Sequence, residues 1–243
     1  MNIIDKIRLR QALAAQPDRH TPPRHEPKML YIGCVDARLD PIDDIGIEKG
    51  AALILRNIGA LVPKDERMEG SPDRETILAG GQIPQNVGIG AALEFFLNHL
   101  PQPRAQPKHI VISGHTDCGG MKACQRGEFG EHDHHLALYL EGLREARARI
   151  GEEARANNWG PERVLRALEE ASVRQSVSNL RTYPVVRQAV ADGRAQIHGW
   201  IINTATQLIS ELNPETSEFE PMAGKSAAGP REAGQPPAPR SPD

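Results

Sequence analysis

Three short apolar runs in the first half of this chain each end in residues that carry chemistry, and that arrangement constrains the fold more than any other feature. Met29-Leu30-Tyr31-Ile32-Gly33 runs into Cys34-Val35-Asp36-Ala37-Arg38. Ala51-Ala52-Leu53-Ile54-Leu55 runs into Arg56-Asn57-Ile58-Gly59. His109-Ile110-Val111-Ile112-Ser113 is closed by Gly114 and followed by His115-Thr116-Asp117-Cys118. Apolar runs of about 4–8 residues with helical patterns between some of them read as buried strands of a parallel sheet. Ligands of such sheets bind beyond the carboxyl ends of the strands, so the three polar clusters are expected to converge.

Cys34, His115 and Cys118 offer two thiolates and an imidazole, the ligand set zinc prefers. Three protein ligands leave a fourth tetrahedral position for water, which is the catalytic count. The plainer alternative is two buried thiols and a core histidine. Asp36 and Arg38 read either as an ion pair closing a strand end or as a working pair beside a metal. Arg56-Asn57 either braces the dimer or the site, or simply caps the second strand. Gly119-Gly120 either lets a backbone N–H face a bound anion or makes a tight turn.

Helical periodicity fills the rest. Ile89, Ala92, Leu93, Phe96 and Leu100 form one stripe, stopped by Pro101 and Pro103. His135 to Ile150 is a charged, helix-prone stretch, and the Arg144–Arg155 part reads as a solvated face. A further helix starts near Pro161 and keeps Val173, Val177 and Leu180 on its seam, and Pro184 ends it or starts the next. Ala195 to Ile202 reads as a strand. The predicted class is α/β, a mainly parallel central sheet flanked by helices. One domain is expected over residues 1–213, followed by a Pro/Gly/Ala-rich disordered tail over 214–243; no internal repeat is evident. Lys64 to Gln85 is long for a connection and is either a lid over the site or a surface insertion. His132-Asp133-His134-His135 reads as a solvated helix start rather than a metal tract. Gly88-x-Gly90 lacks the third glycine of a dinucleotide loop.

Composition narrows the setting. The formal charge is −3, with no basic stripe for nucleic acid and no run of about 18 apolar residues for a membrane span. The charged start Met1–Lys6 does not suit a signal peptide. Three cysteines cannot all pair, and 243 residues with 39% hydrophobic content do not need disulfide staples. A cytoplasmic protein with free thiols is expected, Cys124 being a small buried side chain.

Cys-x-Asp-x-Arg after one strand, Arg-Asn after the next and Gly-His-x-x-Cys-Gly-Gly after a third resemble the β-class carbonic anhydrases. Glu170-Ala-Ser-Val-Arg-Gln-Ser-Val, Leu180-Arg-Thr-Tyr-Pro-Val-Val and His198-Gly199-Trp200 extend the resemblance over roughly Ile3 to Leu212, and Val87-Gly-Ile-Gly-Ala-Ala-Leu-Glu-Phe is similar to the plant-type branch. The resemblance implies one Zn²⁺ per chain on Cys34, His115 and Cys118, with Asp36 and Arg38 as the catalytic pair; Gly119, at the helix start, is the candidate for contact with the substrate. It implies reversible hydration of CO₂ to bicarbonate and a proton, by attack of zinc-bound hydroxide, in a homodimer or higher homo-oligomer. It also implies that Asp36 can swing onto the metal when its arginine partner is lost. His25 is a candidate for assisting proton release.

Some positions depart from the family pattern. His25, Leu53 and Asn86 replace the glutamine, phenylalanine and tyrosine of the plant-type pocket. Of the tryptophan, arginine and tyrosine of a bicarbonate-binding inhibitory site, at Tyr31, Arg56 and Ile202, only the arginine is kept. Two alternative functions therefore stand beside CO₂ hydration: hydrolysis of COS or CS₂ on the same scaffold, and a non-catalytic bicarbonate-responsive zinc protein.

Overall fold

The three apolar runs are strands and lie side by side. The computed structural model describes residues 3, 4, 6, 25–65, 87–102 and 106–222. Among these, six strands form one sheet: β1 (Met29–Cys34), β2 (Ala52–Asn57), β3 (Lys108–His115), β4 (Ala195–Ile202), β5 (Ile209–Leu212) and β6 (Phe219–Pro221). Their order is β2-β1-β3-β4-β5-β6. The first four pair in parallel, and β5 and β6 join antiparallel. From β1 the chain goes first to one side, to β2, and later to the other, to β3. That reversal opens a crevice at the carboxyl ends of β1 and β3. The register sets Ile32 beside Ile112 and Gly33 beside Ser113, which brings Cys34 and His115 to the same crevice from 81 positions apart in sequence.

The helices are α1 (Val87–Glu94), α2 (Gly119–Arg126), α3 (His134–Leu140), α4 (Arg144–Ala156), α5 (Pro161–Leu180) and α6 (Pro184–Ala191). One core fills the space between sheet and helices, with Leu30, Ile32, Ile110, Ile112, Leu93, Phe96, Val173, Leu180 and Val186 all buried. A second core surrounds Cys34, Cys118, Met121 and Cys124 under α2, α4 and α5. Gly114 is required where α5 crosses β3: a Cβ there would sit 2.6 Å from Val173 Cγ2. α5 thus lies directly on the strand that delivers His115.

Four expectations change. The stripe from Ile89 to Leu100 does not stay α-helical, because Phe95–His99 widen into a π-turn. Buried Lys108 donates its ammonium to the Phe96 and Leu100 carbonyls, at 2.5 and 2.9 Å, and so satisfies acceptors at that helix end. Lys108→Met keeps the stem and strands those carbonyls, so a stability loss of about 1–3 kcal/mol is expected, read as a lower urea midpoint. The stretch from His135 to Ile150 is two helices split by the 3₁₀ turn Glu141–Leu143. Gly142 is a poor helix former, and its carbonyl accepts from Gln175.

The boundary at residue 214 is too early: 214–222 form a turn and β6. Asn213 Oδ1 accepts the Glu215 and Thr216 N–H groups, and the Arg174 guanidinium lies over the Phe219 ring at 4.9 Å. One aromatic on a short edge strand suffices here, which is why a polar composition concealed it. A short repeat also emerges. Asn203 Oδ1 accepts the Ala205 and Thr206 N–H groups in the same way ten residues earlier, so two similar Asn-x-x-Thr turns build the β4-β5-β6 meander. Most of the Lys64–Gln85 stretch and residues 223–243 lie outside the described residues.

Candidate metal centre

β1 ends on Cys34, β3 ends on His115, and the turn into α2 supplies Cys118. Their ligand atoms all lie within 4.8 Å of one another, and all three residues are buried. The two sulfurs are 3.9 Å apart. That is far beyond a disulfide bond and close to the separation of about 3.8 Å that two zinc thiolates make at a tetrahedral ion. His115 Nδ1–H donates to the Thr116 carbonyl at 2.9 Å, a bond that fixes the tautomer and leaves Nε2 as the lone-pair nitrogen. Nε2 is buried and has no hydrogen-bond partner. An orphaned buried nitrogen calls for an explanation, and two sulfurs and a nitrogen facing one point fit a zinc ion. No other group of this kind occurs among the described residues.

Electrostatics agree with that fit. Cys118 holds the Cys34 thiol well below the ordinary thiol range, helped by the neighbouring His115 and then by the Gly59 N–H at 3.4 Å. Cys118 is pushed up by Cys34 and by burial, against the amides of Met121 and Gly120 at the start of α2. A divalent ion would favour the ionised form of both thiols. Burial works to lower the His115 pKa, and the Cys34 thiolate more than offsets it.

Asp36 Oδ2 is 3.7 Å from His115 Nε2. Arg38 grips this carboxylate with a two-pronged fork, Nε to Oδ1 at 2.9 Å and Nη2 to Oδ2 at 2.7 Å. Those bonds hold Asp36 well below the usual carboxylate range and push the guanidinium up. Arg56 donates to the Cys34 and Asp36 carbonyls at 2.7 and 2.5 Å, so it braces the Cys34–Asp36 backbone. Gly119 opens α2, and nothing lies within 4 Å of where its Cβ would be. Gly120 is the sterically obligatory one, since a Cβ there would meet Ile58 Cγ2 at 2.7 Å.

Other candidates do not join the cluster. His25 packs near Phe95, with ring centroids 6.5 Å apart. It precedes β1, so a strand of roughly 20 Å separates it from the centre within one chain. Leu53 packs against the main core near the start of β2, and Asn86 lies outside the described residues. Tyr31 and Ile202 are buried in the sheet. His132 to His135 are exposed at the start of α3.

Two participants escaped the sequence reading. Asp117 accepts from Arg38 Nη1 at 2.7 Å, its carbonyl from Nη2 at 3.0 Å, and Lys122 pairs with its other carboxylate oxygen. Lys122 first and Arg38 second keep Asp117 below the usual carboxylate range. Asp117 stands between the two candidate ligands His115 and Cys118 in sequence, and its left-handed backbone, φ 62°, turns it toward Arg38. Glu169, in the middle of α5, accepts the Cys118 N–H at 3.0 Å, and burial raises its pKa. Nothing local in sequence links it to the site.

Fold and site together define an α/β protein with a mainly parallel sheet, a buried Cys-His-Cys group that could hold a metal ion, and an arginine-held carboxylate beside it. The family model described as carbonic anhydrase matches residues 29–209. Carbonic anhydrase 1 of Escherichia coli O157:H7 is 28% identical over 203 residues, covering 82% of this chain and 80% of its own. A carbonic anhydrase of Pseudomonas aeruginosa is 29% identical over 200 residues, with coverages of 82% and 80%. Among solved structures, a tetrameric β-carbonic anhydrase of Sordaria macrospora superposes with a TM-score of 0.65 at 22% identity, over 86% of this chain and 94% of that one. The β-carbonic anhydrase CafA of Aspergillus fumigatus gives 0.60 at 25%, over 88% and 86%. The chain belongs to the β-carbonic anhydrase family, a zinc-dependent enzyme family.

Proposed function

We propose that this chain reversibly hydrates CO₂ to bicarbonate and a proton, with Cys34, His115 and Cys118 holding one Zn²⁺. The observation that carries this reading is the partnerless, buried His115 Nε2 facing two sulfurs beside an arginine-clamped Asp36. Zinc held by these three residues would supply Lewis acidity that lowers the pKa of a bound water toward neutral. Two thiolates offset much of the ion's charge, so the protein has to assist. Asp36 Oδ2 accepts a hydrogen bond from the reacting water and keeps its lone pair turned toward the carbon of CO₂. Arg38 keeps that carboxylate ionised and aimed. The Gly119 N–H faces the bicarbonate that forms.

Asp117 holds Arg38 from the other side. Exposed pairs of this kind contribute little, so Asp117→Ala should lower turnover by no more than about fivefold, with zinc content unchanged. We place the working form as a homodimer or larger homo-oligomer in the cytoplasm; three free cysteines support a reducing compartment. No helix among the described residues is long and apolar enough to cross a membrane.

The test is stopped-flow CO₂ hydration against pH on protein of measured metal content. One zinc per chain and a rate rising through an alkaline pKa is the expected result. Sulfide release from COS without CO₂ hydration would replace this reading with the sulfur-substrate one. Full zinc with no turnover up to about pH 9, well above any ordinary carboxylate pKa, would make the protein a non-catalytic zinc protein.

A further inference from the structure

Glu169 is 2% exposed and takes no part in the chemistry above. We propose that Glu169 is a positioning residue of the metal centre: its carboxylate holds the His115–Cys118 loop in the conformation that aims His115 Nε2 and Cys118 Sγ at Cys34. The inference rests on the zinc reading of that cluster.

Three observations carry it. A carboxylate is costly to bury unless it is hydrogen-bonded, and Glu169 Oε1 makes its bond to the N–H of a candidate ligand, Cys118, at 3.0 Å. The loop it grips needs holding: Asp117, between the two ligands, sits at φ 62°, a left-handed conformation that non-glycine residues seldom adopt. The support is also rigid. Val173 packs on Gly114, and Glu169 is four residues before it, on the same face of α5, which puts the carboxylate under the loop that follows β3. Arg166 Nη1 is 3.8 Å from Oε2, beyond hydrogen-bond reach, so it does not draw the carboxylate away from Cys118.

The role separates from a purely structural one by the rank of three variants. Glu169→Gln keeps an acceptor at the same reach, Glu169→Asp withdraws it by a methylene, and Glu169→Ala removes it. Zn²⁺ affinity of the full chain, measured by competition with a chromophoric chelator, should fall about 10–100-fold in Ala and Asp and stay near wild type in Gln. Co²⁺ absorption should show the same order as a change in ligand geometry. Equal affinity in all three overturns the proposal, and so does Gln as weak as Ala. If Glu169→Ala fails to fold, the Gln and Asp pair decides alone. If the wild-type chain takes up no zinc, the zinc reading itself has failed. Hydrogen exchange at the Cys118 amide in metal-free protein then still decides the loop contact: faster exchange in Asp than in Gln supports it, and equal exchange overturns it.

Discussion

His115→Ala is expected to yield a folded protein that carries no zinc and hydrates no CO₂. His115 supplies the only nitrogen of the cluster, and its Nε2 is already desolvated and without a partner. Removing it leaves Cys34 and Cys118, two sulfurs 3.9 Å apart with no nitrogen beside them. Two ligands do not make a structural or catalytic zinc site. Metal content by plasma emission and the stopped-flow rate check this together. Stoichiometric zinc in the variant would mean that another residue binds the ion and that the geometry has been misread. Folding should survive, because the imidazole contributes one hydrogen bond to the protein, to the Thr116 carbonyl.

Asp36→Asn should separate metal binding from turnover. The variant keeps its size and all three candidate ligands, Cys34, His115 and Cys118, so zinc is expected at the wild-type level. The amide nitrogen cannot accept, and Arg38 loses the charge that orients its fork. Removing a positioned proton acceptor typically costs about 10²–10⁴-fold, and a fall in that range is expected at every pH of the profile. Near wild-type turnover would mean that Asp36 only closes the strand end. Arg38 has a second carboxylate to hold, Asp117, so it is not expected to leave the site in this variant.

Much of the candidate site could be read from sequence because most of its parts follow an apolar run. Cys34, Asp36 and Arg38 follow one strand, and His115 and Cys118 follow another. A parallel sheet has little freedom in where it puts strand ends. The helix seams were legible for a similar reason, since Val173, Val177 and Leu180 repeat with the period of the backbone. Segments with weak periodicity were harder to read. The π-turn at Phe95–His99 answers to Lys108 in the next strand, and the hairpin at 214–222 answers to Asn213 and to Arg174 on α5. Those partners are distant in sequence or act through a single hydrogen bond, so no local pattern announces them.

The sequence by itself determined the chemistry available: two thiols, an imidazole, an acid and a guanidinium at strand ends, in a chain able to bury them. Only the tertiary structure decided their aim. It settled that Nδ1 of His115 is occupied and Nε2 is open, that Arg38 is shared between Asp36 and Asp117, and that a carboxylate from the middle of α5 reaches the backbone of Cys118. The physical reason is range. Side-chain identity is written residue by residue, while hydrogen-bond direction depends on where a helix laid over Gly114 brings a group from 51 positions further along the chain to Cys118.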